Sequence, residues 1–172
     1  MALEFIILSE LNKKDSTGYD VTKTFREFVG VYWIASHQQV YREMGKLEVR
    51  NLVKVRIVPQ IGKPDRKLYS ITKAGKQHLR EWVPKATSMP IFRDTISAKL
   101  VASSPEDAPA LIDILNLIIN SETKQIEEID TLTAKLSGDN HQSRMQILAA
   151  TRSRRHHEYT VEWAKEAIAI LR

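Results

Sequence analysis

The 172-residue chain contains no cysteine. That absence removes disulfide stapling, thiolate nucleophiles and cysteine-ligated zinc together, and it fits a reducing compartment. No apolar stretch approaches the roughly 18 residues that a membrane span needs, so no membrane partner is expected. The opening MALEFIILSELNKK has an apolar patch, but no basic segment before it and no small-residue cleavage site after it. It is therefore not expected to act as a signal peptide, and a cytoplasmic location is expected. Glycine and proline are scarce, at six each, so most of them stand out as boundary marks. What is present is ordinary globular material: 42% hydrophobic and 27% charged residues, enough to bury a core. The length suits one large domain or two small ones.

Charge is unevenly spread. Residues 1–83 hold 15 Lys and Arg against 9 Asp and Glu, a balance of +6, whereas residues 84–172 hold 11 against 12, a balance of −1. A basic first half joined to a near-neutral second half points to a polyanion-binding module attached to something else.

Leu3, Ile6, Ile7 and Leu11 recur at helical spacing and predict a first helix over about residues 2–12. Ser16 or Thr17 supplies the cap of a second helix, whose apolar face is Val21, Phe25, Phe28 and Val29, with Gly30 as its stop. Ser36 and Gln39 have the spacing of a capping box at the head of a third helix. There Val40, Met44 and Leu47 form the inward stripe. At about 100° per residue, Gln38, Arg42 and Lys46 fall on the opposite side, with Gly45 leaving room for close approach. Asn51 is suited to a left-handed helix end.

The hydrophobic period then changes to two. Val53, Val55 and Ile57 alternate with Lys54 and Arg56, and Pro59 ends the strand. Lys63-Pro64-Asp65-Arg66 has turn chemistry, and Tyr69 and Ile71 lie in a second strand. Thr72 caps a fourth helix with Leu79, Trp82 and Val83 on its buried side and Pro84 as its stop; Gly75 weakens the first turn. Three helices followed by a basic-tipped hairpin form a winged helix-turn-helix: one helix fits the major groove, the preceding one braces it, and the hairpin reaches adjacent backbone or minor groove.

The second half reads as helical. Residues 85–93 form a linker interrupted by Pro90. Asp94 starts a short helix through Ala98 and Val101, and Ser104-Pro105 opens a long one to about Leu136, before Gly138. Ile112, Leu115, Ile119, Ile126, Ile129 and Leu136 lie on one near-heptad seam. The last helix, about His141 to Leu171, is expected to fold back on it, bringing Met145, Leu148, Tyr159, Trp163 and Ile170 at compatible spacing. Helices this long usually need more than one neighbour, so the seam residues and Trp163 are also assigned to dimerisation. The expected architecture is mostly α with a small β-hairpin: residues 1–84 a winged helix-turn-helix, and 94–172 an antiparallel, coiled-coil-like dimerisation domain.

No catalytic set stands out. Adjacent His156 and His157 point about 100° apart on a helix and do not share a metal-binding face. Gly62-Lys63 precedes proline in a hairpin and is no phosphate-binding loop, and no serine has nucleophile-elbow context. Neither enzyme activity, nor a metal, nor a cofactor is expected.

The stretches Gly18-Tyr19-Asp20, His37-Gln38-Gln39-Val40-Tyr41-Arg42-Glu43-Met44 and Gly62-Lys63-Pro64-Asp65-Arg66-Lys67-Leu68-Tyr69-Ser70-Ile71-Thr72 resemble the PadR family of bacterial transcriptional regulators. Within it the resemblance is to the virulence-activator (AphA-like) branch, and it extends more weakly through Pro90–Asp94 and Ser97–Leu100. It implies a dimeric winged-helix DNA binder. It also implies, by analogy with relatives that hold planar compounds near the dimer interface, Trp33, Trp82 and Trp163 as candidates for an aromatic pocket; Tyr32 and Trp33 otherwise read as core.

The expected function is a homodimeric, sequence-specific regulator that binds double-stranded DNA at an inverted repeat. Gln38, Gln39 and Arg42 are assigned to base edges, because Gln pairs bidentately with adenine and Arg with guanine. Tyr41, Lys46, Lys63, Arg66 and Lys67 are assigned to phosphates or the minor groove. Two other readings stay open: release from DNA by a small aromatic effector, and a winged-helix adaptor that binds protein only. A second transcription regulator is a further possible partner.

Overall fold

Ala2–Lys13 forms helix α1 in the computed structural model, which describes residues 2–62, 65–87, 93–136 and 139–172. Phe5, Ile7, Leu8 and Leu11 are buried, while Leu3 and Ile6 pack at the margin of the same core. Ser16–Thr17 makes a two-residue strand, β1, too short for any period to show in the sequence. Thr17 then caps α2 (Gly18–Glu27) in a box with Asp20. The helix ends before the expected stop at Gly30. Phe28 leaves helical geometry, and a 3₁₀ turn at Val29–Val31 carries Val29 into the core.

Ser36 caps α3 (His37–Val49), and both capping-box hydrogen bonds with Gln39 are made. Val40, Met44 and Leu47 are fully buried. Asn51, at φ 55°, makes the left-handed exit. Strand β2 (Val53–Val58) and strand β3 (Arg66–Ile71) form the hairpin, and β1 adds to β3, giving an antiparallel sheet of order β1-β3-β2. Val53, Val55 and Ile57 face the same side, opposite Ile71, Tyr69 and Lys67. Ile57 is nevertheless 52% exposed, because the hairpin projects past the core that covers its root.

Thr72 caps α4 (Lys73–Trp82), accepting from the Gly75 N–H at 3.0 Å. Gly75 is buried against the chain at Leu52: a Cβ there would stand 2.9 Å from Ile71 Cγ1 and closer still to the Leu52 carbonyl oxygen. The glycine that weakens the helix on propensity is required by packing. Leu79 and Trp82 join the core margin, but Val83 is exposed, since the helix has ended at Trp82.

The chain divides into two units, residues 1–88 and 89–172. Most of the expected linker, with Pro90, lies outside the described residues, as does Gly138. In the second unit Asp94 caps α5 (Thr95–Ala102) through the N–H groups of Ile96 and Ser97. Ser104-Pro105 opens a single 3₁₀ turn rather than the long helix itself, which follows as α6 (Ala108–Thr133). Asn140 caps α7 (His141–Leu171). Helices α6 and α7 pair antiparallel. Leu115, Ala164 and Ile168 form the buried centre, joined by Ile96, Ile112, Ile119 and Trp163. Ile129 and Ala150 are buried farther along. Arg154 binds Asp130 at 2.7 Å, and His157 meets Glu122.

The hairpin expected from the sequence uses most of the seam within one chain. Ile112, Leu115, Ile119, Ile129 and Trp163 are consumed within the chain's own hairpin, and Ile126 and Leu136 are half-buried. Met145, Leu148, Tyr159 and Ile170 do not join it. The inward row of α7 is Ala150, Val161, Ala164 and Ile168, roughly half a turn away, and Leu148, Tyr159 and Ile170 are 63%, 67% and 84% exposed. No described helix is long and apolar enough to cross a membrane.

Candidate nucleic-acid interface

Helix α3 is held by its buried stripe, which turns Gln38, Arg42 and Lys46 outward as their spacing predicts. A shallow groove of about 420 Å³ runs along this side, lined by Arg42, Gly45, Lys46, Val49 and Arg50. Gly45 has open space above it, so a duplex can approach the helix backbone there.

The cations on the helix are not equivalent. Lys46 is held at 3.0 Å by Glu43, whose carboxylate is nearly buried. Arg50 is tied to Glu4 and approaches His78 Nε2 at 3.2 Å, so it fastens α3 to α1 and α4. Arg42 and Gln38 have no side-chain partner among the described residues and keep all their donors free. Gln39 is different. Its Oε1 accepts from the Ser36 N–H at 2.8 Å, so bidentate pairing with adenine would break the helix cap.

The wing carries Arg66 and Lys67 exposed on β3. Lys63, the other expected contact, lies outside the described residues. Lys54 and Arg56 are exposed on β2, on the same side as Arg66. In the sequence these two read only as the polar half of the strand alternation. The register is the missing signal, since it places Arg56 diagonal to Arg66. Pairing of Ser16 with Tyr69 and Thr17 with Leu68 anchors the wing beside the start of α2.

Between these elements lies a cleft of about 540 Å³, with Gly18, Tyr19, Tyr41, Arg66, Lys67 and Tyr69 in its walls. Asp20 sits at its α2 edge. Hydrogen bonds from Thr17 hold the Asp20 carboxyl below the usual carboxylate range, and the charges of Lys14 and Arg66 add to the effect. Tyr69 is buried at the base, and burial pushes its phenol above the ordinary value.

A second recess of about 230 Å³ lies between α1 and α4, walled by Phe5, Ile6, Tyr32, Leu79, Trp82 and Val83. Phe5 stacks on Trp82 at 4.4 Å and on His78 at 4.9 Å. Ser9 and Glu10 provide its polar groups, Glu10 being paired with Lys13 at 2.5 Å. Burial, with Glu10 nearby, pushes the Tyr32 phenol up to about 12. Of the three tryptophans singled out from the sequence, only Trp82 lines this recess. Trp33 packs at the margin of the first core and Trp163 belongs to the α6–α7 cluster.

Residues 7–81 match the transcriptional regulator PadR-like family, and residues 92–172 match the virulence activator alpha C-terminal family. A probable transcriptional regulator of Mycobacterium tuberculosis is 38% identical over 88 residues, 51% of this chain and 47% of that protein. The negative transcriptional regulator PadR of Bacillus subtilis is 36% identical over 88 residues, 51% of this chain and 48% of that protein. The chain thus spans about half the length of the curated relatives it matches. Among solved structures, the Vibrio cholerae virulence activator AphA is 34% identical, with a TM-score of 0.80 over 98% of this chain and 97% of that one. Bacillus subtilis PadR in complex with operator DNA is 25% identical, with a TM-score of 0.85 over 100% of both chains.

Proposed function

The chain belongs to the PadR-like family of transcriptional regulators, in its virulence-activator branch, and we propose that it acts as a homodimer that reads an inverted-repeat operator. The observation that carries this reading is the outward side of α3, where Arg42 stands free in a groove it shares with Gly45 and Gln38 is exposed on the same side of the helix. Arg42 and Gln38 read base edges; Tyr41, Lys46, Arg66 and Lys67 hold phosphates, joined by Arg56 and Lys54 from the wing. One such module covers a half-site, and a two-fold dimer presents two.

The outward row of α7 supports the second copy. At 100° per residue, Leu148, Arg152, Arg155, Tyr159, Glu162, Glu166 and Ile170 lie within about 40° of one line. Read backwards from Tyr159, the row is its own complement: Leu148 answers Ile170, Arg152 answers Glu166, and Arg155 stands opposite Glu162 to within a residue. Arg152 and Glu166 stand fourteen positions apart, about 21 Å along a helix, so they cannot pair within one chain. Two copies crossing antiparallel at Tyr159 bring them together.

Titration of the tightest duplex found against salt tests the DNA-binding role. Neutralising about 6–10 phosphates gives a slope of log K against log salt of about −5 to −9. A slope near zero counts against the reading. Arg42→Ala is expected to cost about 1–3 kcal/mol and to relax preference at one position per half-site, while Arg66→Ala weakens cognate and random duplexes alike.

The α1–α4 recess favours an additional effector role. Bacillus subtilis PadR, 25% identical, is also solved in complex with p-coumaric acid. In this chain a planar aromatic compound would slide against Trp82 and Phe5, with Ser9, Glu10 and Tyr32 offering hydrogen bonds. Saturable quenching of tryptophan fluorescence that disappears in Trp82→Phe supports this; quenching unchanged in that variant places the compound elsewhere.

A further inference from the structure

We propose that Gly18 is a positioning residue for DNA binding: its missing side chain is what lays the Tyr41 phenol in the cleft between the start of α2 and the wing. The proposal rests on the DNA-binding reading above and assigns that reading a determinant outside α3 and the wing. A Cβ built on Gly18 would stand 2.8 Å from Tyr41 Cζ, 3.1 Å from its hydroxyl oxygen, and closer still to Cε1. The far end of the ring therefore rests on the bare Cα of residue 18.

Nothing else in the backbone calls for glycine there. Gly18 is the first residue of α2 and has no left-handed φ, so any side chain fits its conformation, and alanine is the better helix former. The three atoms nearest to such a methyl group all belong to the Tyr41 phenol. Tyr41 is 47% exposed, and its hydroxyl has no hydrogen-bond partner among the described residues. It shares the cleft with Arg66 and Lys67, two cations on the wing. At the start of α2 the Asp20 N–H is taken by the Thr17 hydroxyl, and the Asp20 carboxylate accepts from the Thr17 N–H. The groups in this cleft that can meet a phosphate oxygen include the Tyr41 and Tyr19 hydroxyls and the wing cations, with the Asp20 and Asp65 carboxylates as opposing charges.

A methyl group on residue 18 has a cheap way out. The conflict is with the end of an exposed side chain, and the ring can swing into solvent while Val40 and Met44 keep α3 in place. Gly18→Ala should thus leave the fold intact and remove the hydroxyl from its station.

The experiment compares wild type, Gly18→Ala, Tyr41→Phe and the double variant on the tightest duplex found and on a random one. A hydrogen bond to a charged oxygen is worth about tenfold in affinity. Each single variant is expected to lose about that factor per half-site on both duplexes, with the salt slope unchanged because no cation is lost. The double variant should bind no more weakly than either single one. If Tyr41→Phe binds as wild type does, the phenol makes no contact and the phosphate role of Tyr41 falls with the proposal. If Tyr41→Phe weakens binding but Gly18→Ala does not, the contact stands and the positioning role is overturned. Equal losses from Gly18→Ala with and without Tyr41→Phe would show the methyl acting through the backbone, which also overturns it. Should Gly18→Ala fail to fold, adding Tyr41→Ala makes room for the methyl and should restore the melting temperature; failure to restore it rejects the proposal.

Discussion

The two units are of nearly equal length and bury their apolar residues in different ways. The first draws its core from α1, α2, α3, both long strands and the margin of α4, and what it leaves outside along α3 and the wing is mainly cationic. The second buries a narrow line between α6 and α7 and leaves Leu117, Leu148, Tyr159 and Ile170 exposed on long helices. Several short elements packed around one core close on themselves. A hairpin of two long helices covers only one side of each, so its far side stays available. The difference fits the two proposed partners: a polyanion for the first unit and a second copy of the chain for the second.

The largest effect comes from breaking the narrow core. Leu115→Asp places an unpaired charge at a fully buried position and should cost about 4 kcal/mol or more, melting α6 and α7. Hydrogen exchange should then show protection lost over residues 94–172 and kept over 2–83. Equal loss in both would mean that the units are one cooperative body.

Next is the outward row of α7. Arg152→Glu with Arg155→Glu sets like charges against Glu162 and Glu166 of a second copy, while leaving the Arg154–Asp130 pair between α6 and α7 in place. Sedimentation should give a folded monomer, with DNA affinity reduced by up to about 10²–10⁴-fold through the lost second module. Adding Glu162→Arg with Glu166→Arg should restore the dimer, and a dimer that survives the first pair of changes uses another face.

Two glycines sharpen the contrast between packing and approach. Gly75→Ala should destabilise the first unit by about 1–3 kcal/mol, because the methyl meets the chain at Leu52. Gly45→Ala faces open space and should stabilise α3 by up to about 1 kcal/mol while weakening DNA binding. Thermal melts and DNA titrations of both variants check the pair.

The smallest effect is acid sensitivity. Asp20 is held below the ordinary carboxylate range chiefly by Thr17, and Asp130 chiefly by the hydrogen bond from Arg154. A carboxyl whose folded pKa is depressed contributes stability above its unfolded value, about 3.9, and loses it as pH falls through the folded value. Melting temperature should be flat above about pH 5 and fall below about pH 4. Asp20→Asn should flatten that fall in the first unit only, and Asp130→Asn in the second only.

Much of the first unit was legible because its signals are local. Ser36 and Gln39 announce a helix start through two hydrogen bonds three residues apart, Asn51 announces its end, and a period of two announces a strand. The outward side of α3 follows from the same arithmetic. Less legible were contacts between segments distant in sequence. That Lys46 is held by Glu43 was readable at i, i+3; that Arg50 is bound to Glu4, 46 residues earlier, was not.

The sequence by itself determined the longer elements, the basic first half, the outward placement of Gln38 and Arg42, and the family to which the chain belongs. Each rests on spacing, composition or motif within one stretch of chain. Only the tertiary structure decided which side of α7 packs on α6, because its apolar residues recur on both sides and helical spacing cannot choose between them. It also decided that Gly75 and Gly18 stand where other segments come too close for a side chain. A missing Cβ has meaning only beside the atom that would strike it, and that atom comes from elsewhere in the chain.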